Sequence, residues 1–128
     1  MNPVRAFNIP ASDIQKAIDF YETVFDWNIK RIAESGGNYH FAITTPSDET
    51  GEPLSKGAIN GGFFQRGTHG INETFLELVV ESIDDCAEKA ISMGGRKISE
   101  KRLMAGTSYF AIIQDPEGNY LGLWEEKR

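Results

Sequence analysis

The sequence predicts an α+β fold built from two tandem βαβββ units. Three observations predict it: two segments with the helical period, eight segments that alternate like strands, and a repeat that lays one half of the chain on the other at an offset of 69 residues.

The elements follow in chain order. The first strand is predicted over residues 4–10. Ile14, Ala17, Ile18, Tyr21, Val24 and Phe25 then fall on one apolar face of a helix, with Ser12 and Gln15 spaced as a capping box for its first turn. Strands are predicted next over 28–34, 38–45 and 58–66, and again over 73–81. The second helix carries Ile83, Cys86, Ala87, Ala90 and Ile91, with Ser82 as N-cap and a stop at Gly94-Gly95. Strands over 96–104, 107–114 and 119–126 complete the second unit, the last two joined by a turn at Asp115-Pro116-Glu117-Gly118. Under the repeat Ile14 meets Ile83, and Phe41-Ala42-Ile43 meets the identical Phe110-Ala111-Ile112. At the fourth strand the offset becomes 61, so that Gly57 meets Gly118 and Gly61 meets Gly122. Eight extra residues therefore belong to the first half, within the polar loop 46–56 (PSDETGEPLSK), the kind of long loop where lids and recognition elements sit.

Length and composition bound the function. A chain of 128 residues is one domain, 1–128, with repeat units at 1–67 and 72–128. Its 40% hydrophobic content supports a real core, which excludes a disordered or fibrous chain. Thirteen basic against nineteen acidic residues leave a net charge of −6, the wrong sign for displacing counterions from nucleic acid. No apolar run is long enough to span a bilayer, and MNPVRAFNIP does not read as a signal peptide. The single Cys86 can form no internal disulfide, and its place on the apolar stripe makes it a small core residue. A cytoplasmic location is expected.

Two βαβββ units with IPASDIQKAIDFYETVFDW near the start and DPEGNYLGLWE near the end resemble the vicinal oxygen chelate superfamily. That superfamily includes glyoxalase I, extradiol dioxygenases and the fosfomycin and bleomycin resistance proteins. The resemblance implies that each unit curls its sheet into a half-barrel, with the helix outside and a ligand cavity on the concave face. It also implies, for metal-using members, a His or Gln ligand in the first strand and a Glu in the last strand of each unit. Those positions fall here on Ala6, Gly61, Phe75 and Gly122, which carry no side-chain donor. No metal and no cofactor is therefore expected. His40, alternating with Ala42, is expected at the surface or a cavity rim, and His69 in the linker GTHGIN; neither shares its face with a second ligand.

Alternation assigns the faces. Phe7 and Ile9 in the first strand, and Leu76, Leu78 and Val80 in the fifth, are expected to pack the helices. The cavity then receives Ala6, Asn8, Phe75, Glu77 and Val79, with Gly61 beside Phe63 and Gly122 beside Trp124 from the last strands. The candidate ligand-binding residues are thus Asn8, Phe63, Phe75, Glu77 and Trp124, an apolar wall with a few polar groups. Asn8 and Glu77 are equivalent under the repeat and are expected to face each other. Glu77 is the candidate general base; its alternatives are a hydrogen bond to Asn8 or Arg5, or a solvated rim. The glycines read either as close strand approaches or as side chains removed to enlarge the cavity.

Three functions compete. The first is metal-independent binding of a small molecule, as in resistance-type members of the superfamily. The second is a lyase, isomerase or dioxygenase-type enzyme, with non-standard metal ligands or with Glu77 as base. The third is a dimeric interaction module with a vestigial cavity. A homodimer is expected in each case, because open sheet edges need cover and superfamily members commonly pair two chains.

Overall fold

The computed structural model describes residues 1–32, 39–104 and 106–127, and among them it contains two α-helices and nine strands. Two compact units emerge: Ala6–Thr74, and Phe75–Arg128 together with Met1–Arg5.

In the first unit β1 (Val4–Ala11) leads into α1 (Ile14–Phe25), followed by β2 (Asn28–Arg31), β3 (Tyr39–Ile43) and β4 (Asn60–Gln65). The strand order is β2-β3-β4-β1, with β1 parallel to β4 and the other pairs antiparallel. Residues 33, 34 and 38 of the predicted strands lie outside the described residues. The N-cap of α1 is Asp13, not Ser12: its carboxylate accepts from the Lys16 amide at 3.2 Å. Ser12 is engaged elsewhere, accepting from Arg66 Nε at 3.1 Å, and the chain stays extended for one residue more. Phe63 is fully buried in the core of this unit, with Ala11 and Ala42, under Ile14, Ala17 and Tyr21 of α1.

The second unit repeats the plan: β5 (Phe75–Val79), α2 (Ile83–Ser92), β6 (Arg96–Lys97), β7 (Arg102–Met104), β8 (Ser108–Gln114) and β9 (Tyr120–Glu126). Here β5 runs parallel to β9, while β8 pairs antiparallel with β9, β6 and β7. The strand predicted over 96–104 is split because Ile98 and Ser99 both donate their amides to the one carbonyl of Ile112. Ser82 caps α2 as predicted, accepting from the Asp85 amide, and Glu125 takes the Ile83 amide at 2.9 Å. The helix ends where Gly94, at φ +93°, turns the chain so that the Gly95 amide reaches the Ala90 carbonyl. Val80, Ile83, Ala111, Ile113 and Leu123 form the core, with Cys86 packed against it. Leu76, expected there, is 45% exposed, since the core under α2 is supplied by β8 and β9 instead.

Candidate functional site

Strand pairing decides which side chains share a face. In the first unit Asn8 pairs with Gly62 and Ile9 with Phe63, while His40 pairs with Phe63 and Phe41 with Gly62. In the second unit Glu77 pairs with Gly122 and Leu78 with Leu123, while Ala111 pairs with Leu123 and Ile112 with Gly122. Gly62 therefore matches Gly122, and Phe63 matches Leu123, the two fully buried residues beneath the helices. The repeat offset at the last strand is 60, one less than the glycines suggest in sequence. A one-residue slip exchanges the faces. Phe63 accordingly lies in the core, its ring 5.1 Å from that of Tyr21, and is not on the face away from the helix. Gly61 also turns to the helix side, where a Cβ would meet the Phe7 ring.

The face away from α1 carries Asn8, Gly62, Tyr39 and Phe41. Asn8 is 2% exposed, and the Tyr39 hydroxyl donates to its Oδ1 at 3.2 Å. A Cβ on Gly62 would overlap the Tyr39 phenol. Asn60 begins β4 on this face and ties down the long loop that precedes it. Its Oδ1 accepts from the Thr44 amide at 2.8 Å, and its Nδ2 donates to Ser47 Oγ at 2.8 Å and to the Gly51 carbonyl at 3.0 Å. Asp48 closes the loop from within, and the Thr50 hydroxyl, followed by the Glu52 amide, holds its carboxyl below the usual range. The expected lid is a hydrogen-bonded loop. It joins β3 to β4 over residues 44–59, against 115–119 between β8 and β9, so the first unit holds eleven more residues there, not eight.

The face away from α2 carries the charged group. Glu77 is 4% exposed, and Arg5 Nη1 donates to its Oε2 at 2.7 Å. The Arg5 guanidinium lies 4.0 Å from the centre of the Trp124 ring, a cation–π contact. Trp124 Nε1 in turn donates to Glu126 Oε1 at 3.1 Å, and Ser108 Oγ donates to Glu126 Oε2 at 3.2 Å. A Cβ on Gly122 would stand 2.9 Å from Phe110 Cε1. Gly122 is thus a close approach to a ring, as Gly62 is to Tyr39. Neither glycine leaves an open space. Of the candidate residues, Glu77 and Trp124 are brought together through Arg5; Phe75 is buried in the same unit, on the same side of β5 as Glu77. Asn8 belongs to the first unit, and Phe63 to its core.

Sequence reasoning missed Tyr39 and Phe110, whose signal is an aromatic residue near a glycine in the neighbouring strand. His40 is not at a rim. It is 7% exposed on the helix side, with Nδ1 unbonded among the described residues, and burial, aided by the Arg31 charge, lowers its pKa below the ordinary 6.5. His69 sits exposed in a turn at Thr68–Gly70.

The model of the Glyoxalase/Bleomycin resistance protein/Dioxygenase superfamily matches residues 4–123. The chain belongs to that superfamily. It is 30% identical over 120 residues to a lactoylglutathione lyase of Escherichia coli O157:H7, covering 90% of this chain and 86% of that protein. A lactoylglutathione lyase of Shigella flexneri matches to the same extent. The fold is shared with a superfamily member from Vibrio splendidus 12B01, at TM-score 0.63 and 10% identity over 99% of this chain and 100% of that one. It is shared too with methylmalonyl-CoA epimerase from Mycobacterium tuberculosis, at TM-score 0.62 and 17% identity over 98% and 88%. For metal-using superfamily members, the ligand positions implied by the sequence are Ala6, Gly61, Phe75 and Gly122. With β4 in its observed register Gly62 replaces Gly61, and still no N, O or S donor is offered. Among the described residues no three His, Cys, Asp or Glu side chains cluster as a metal site. The residues present do not fit a metal of that kind.

Proposed function

We propose that this chain is a metal-independent, small-molecule-binding member of the glyoxalase/bleomycin resistance superfamily. The observation that carries the reading is the pair of rings, Tyr39 and Phe110, packed where side chains at Gly62 and Gly122 would stand. A carboxylate ligand at either position would collide with its ring. What the second unit presents instead is the Trp124 indole, with the Arg5 guanidinium stacked on it and Glu77 holding that guanidinium. This suits a ligand with a flat apolar body and a hydrogen-bonding group. Screening small aromatic and apolar compounds by thermal shift, with hits titrated calorimetrically against wild type and Trp124→Ala, tests it. The reading expects binding without turnover that Trp124→Ala weakens tenfold or more; hits indifferent to Trp124 contradict it.

A lyase or isomerase using Glu77 as general base is the second reading, favoured by the lactoylglutathione lyase relatives and by the burial of that carboxylate. It requires Glu77→Gln to lower turnover by about 10² or more while leaving affinity intact. A homodimer accompanies either reading, and sedimentation equilibrium at micromolar concentration checks it.

A further inference from the structure

Of the seven asparagines in the chain, Asn60 is the one followed by a glycine. An Asn-Gly bond is chemically labile, because the glycine amide nitrogen has no side chain beside it and can reach the preceding side-chain carbonyl carbon. Packing demands both residues. A Cβ on Gly61 would stand 2.5 Å from the Phe7 carbonyl oxygen. At Asn60 the buried surroundings call for an amide. The Thr44 amide can only donate, and it donates to Oδ1 at 2.8 Å; the Gly51 carbonyl can only accept, and it takes Nδ2 at 3.0 Å. A carboxylate would set an oxygen against that carbonyl and lose the bond. The strand, meanwhile, keeps the labile bond intact. Asn60 pairs with Ala6 of β1, and Gly61 pairs with Phe7 of β1 and Ala42 of β3. Ring closure needs the Gly61 nitrogen swung toward the Asn60 side chain, at a ψ that an extended residue does not have. Asn60 is the first residue of β4, so opening of the loop 44–59 frees its ψ without unpairing the rest of the strand.

We infer that Asn60-Gly61 is a deamidation site gated by the loop 44–59: the closed loop blocks the reaction, and once the reaction has occurred the loop does not close again. In the step the Gly61 nitrogen bonds to Asn60 Cγ, the Cγ–Nδ2 bond breaks, and Nδ2 leaves as ammonia with the proton from the Gly61 nitrogen. The succinimide takes up a water molecule and opens to aspartate or isoaspartate, so water is the only co-reactant. The new carboxylate cannot donate to the Gly51 carbonyl, and the anchor of the loop is gone. The inference concerns the first unit alone and does not depend on the function proposed above.

Native protein aged in mildly alkaline buffer, beside the same chain unfolded in guanidinium, tests it. Mass spectrometry of the tryptic peptide 57–66 reads amide-to-acid exchange and isoaspartate. The unfolded chain should deamidate at Asn60 at least about a hundredfold faster than the native one. Ser47→Ala removes an acceptor of Nδ2 and should speed the native reaction about fivefold; Asp48→Ala removes the carboxylate that closes the loop and should speed it about tenfold. Gly122→Ala, which destabilises the other unit, should leave the rate unchanged. Aged, deamidated protein should be cut by protease within 44–59 as fast as Asn60→Asp, while fresh protein resists. Equal rates in the folded and unfolded chain, acceleration by Gly122→Ala but not by the two loop variants, or a deamidated chain whose loop still resists protease would each overturn the inference.

Discussion

Removing the two members of the Arg5–Glu77 pair separately should cost the fold unequal amounts. The Glu77 side chain is 5% exposed and that of Arg5 27% exposed, with 2.7 Å between the bonded atoms. In Glu77→Gln the amide keeps the shape and can still accept from Arg5, while the guanidinium can turn toward water. The loss is then about 1.5–3 kcal/mol, the worth of a hydrogen bond to a charged group. Arg5→Met keeps an apolar stem against Trp124 but takes from a nearly dry carboxylate the guanidinium bonded to it. That imbalance costs about 3–5 kcal/mol. The double variant carries neither charge, so its loss should fall short of the sum by about 2 kcal/mol. Urea unfolding at pH 7, with slopes compared across the four proteins, measures all three numbers. The reasoning fails if Glu77→Gln costs more than Arg5→Met, or if the coupling lies below about 0.5 kcal/mol.

Other consequences follow from single contacts. Gly122→Ala places a methyl 2.9 Å from Phe110 Cε1 and should destabilise by about 1–3 kcal/mol, with Phe110→Leu recovering part of the loss in a thermal melt. Asn60→Ala frees the loop 44–59 from its anchor and strands the Thr44 amide, so limited proteolysis should cut within that loop where wild type resists. His40 is held neutral by burial, so the unfolded chain binds its proton first; stability is full above pH 6.5 and declines as pH falls below that value. In His40→Leu the fall between pH 7 and 5 should be shallower, as read from urea midpoints at each pH.

The fold was legible because each level of the sequence agreed. The stripes at Ile14–Phe25 and Ile83–Ser92, the caps and the alternating segments all describe one duplicated unit. Cys86, half-buried against the core, and the turn at Asp115, whose carboxylate gathers the Asn119 and Glu117 amides, were equally readable from local pattern. The candidate site was legible only by halves. Glu77, Gly122 and Trp124 share a face as alternation from β5 and β9 requires. Phe63 does not, because matching Gly61 to Gly122 uses glycines as landmarks, and the adjacent Gly61-Gly62 pair offers two registers of opposite face. Only strand pairing separates them. The same ambiguity hid Tyr39 and Phe110, since an aromatic ring leaning over a glycine is a contact across strands and leaves no period in the sequence. The choice of Asp13 over Ser12 was likewise decided at long range, by Arg66.

Metal dependence tests the account most directly. The protein is stripped with chelator, and its melting temperature and its turnover of a hemithioacetal are measured before and after adding zinc, nickel, manganese or iron(II). A resident ion at a hundredfold excess over its dissociation constant stabilises the folded state by about 2.7 kcal/mol, a shift no melt would miss. The account predicts coincident melts, no stoichiometric metal by elemental analysis and no metal-stimulated turnover. A metal-dependent rise in melting temperature with near-unit occupancy, or turnover restored by one of these ions, would contradict it.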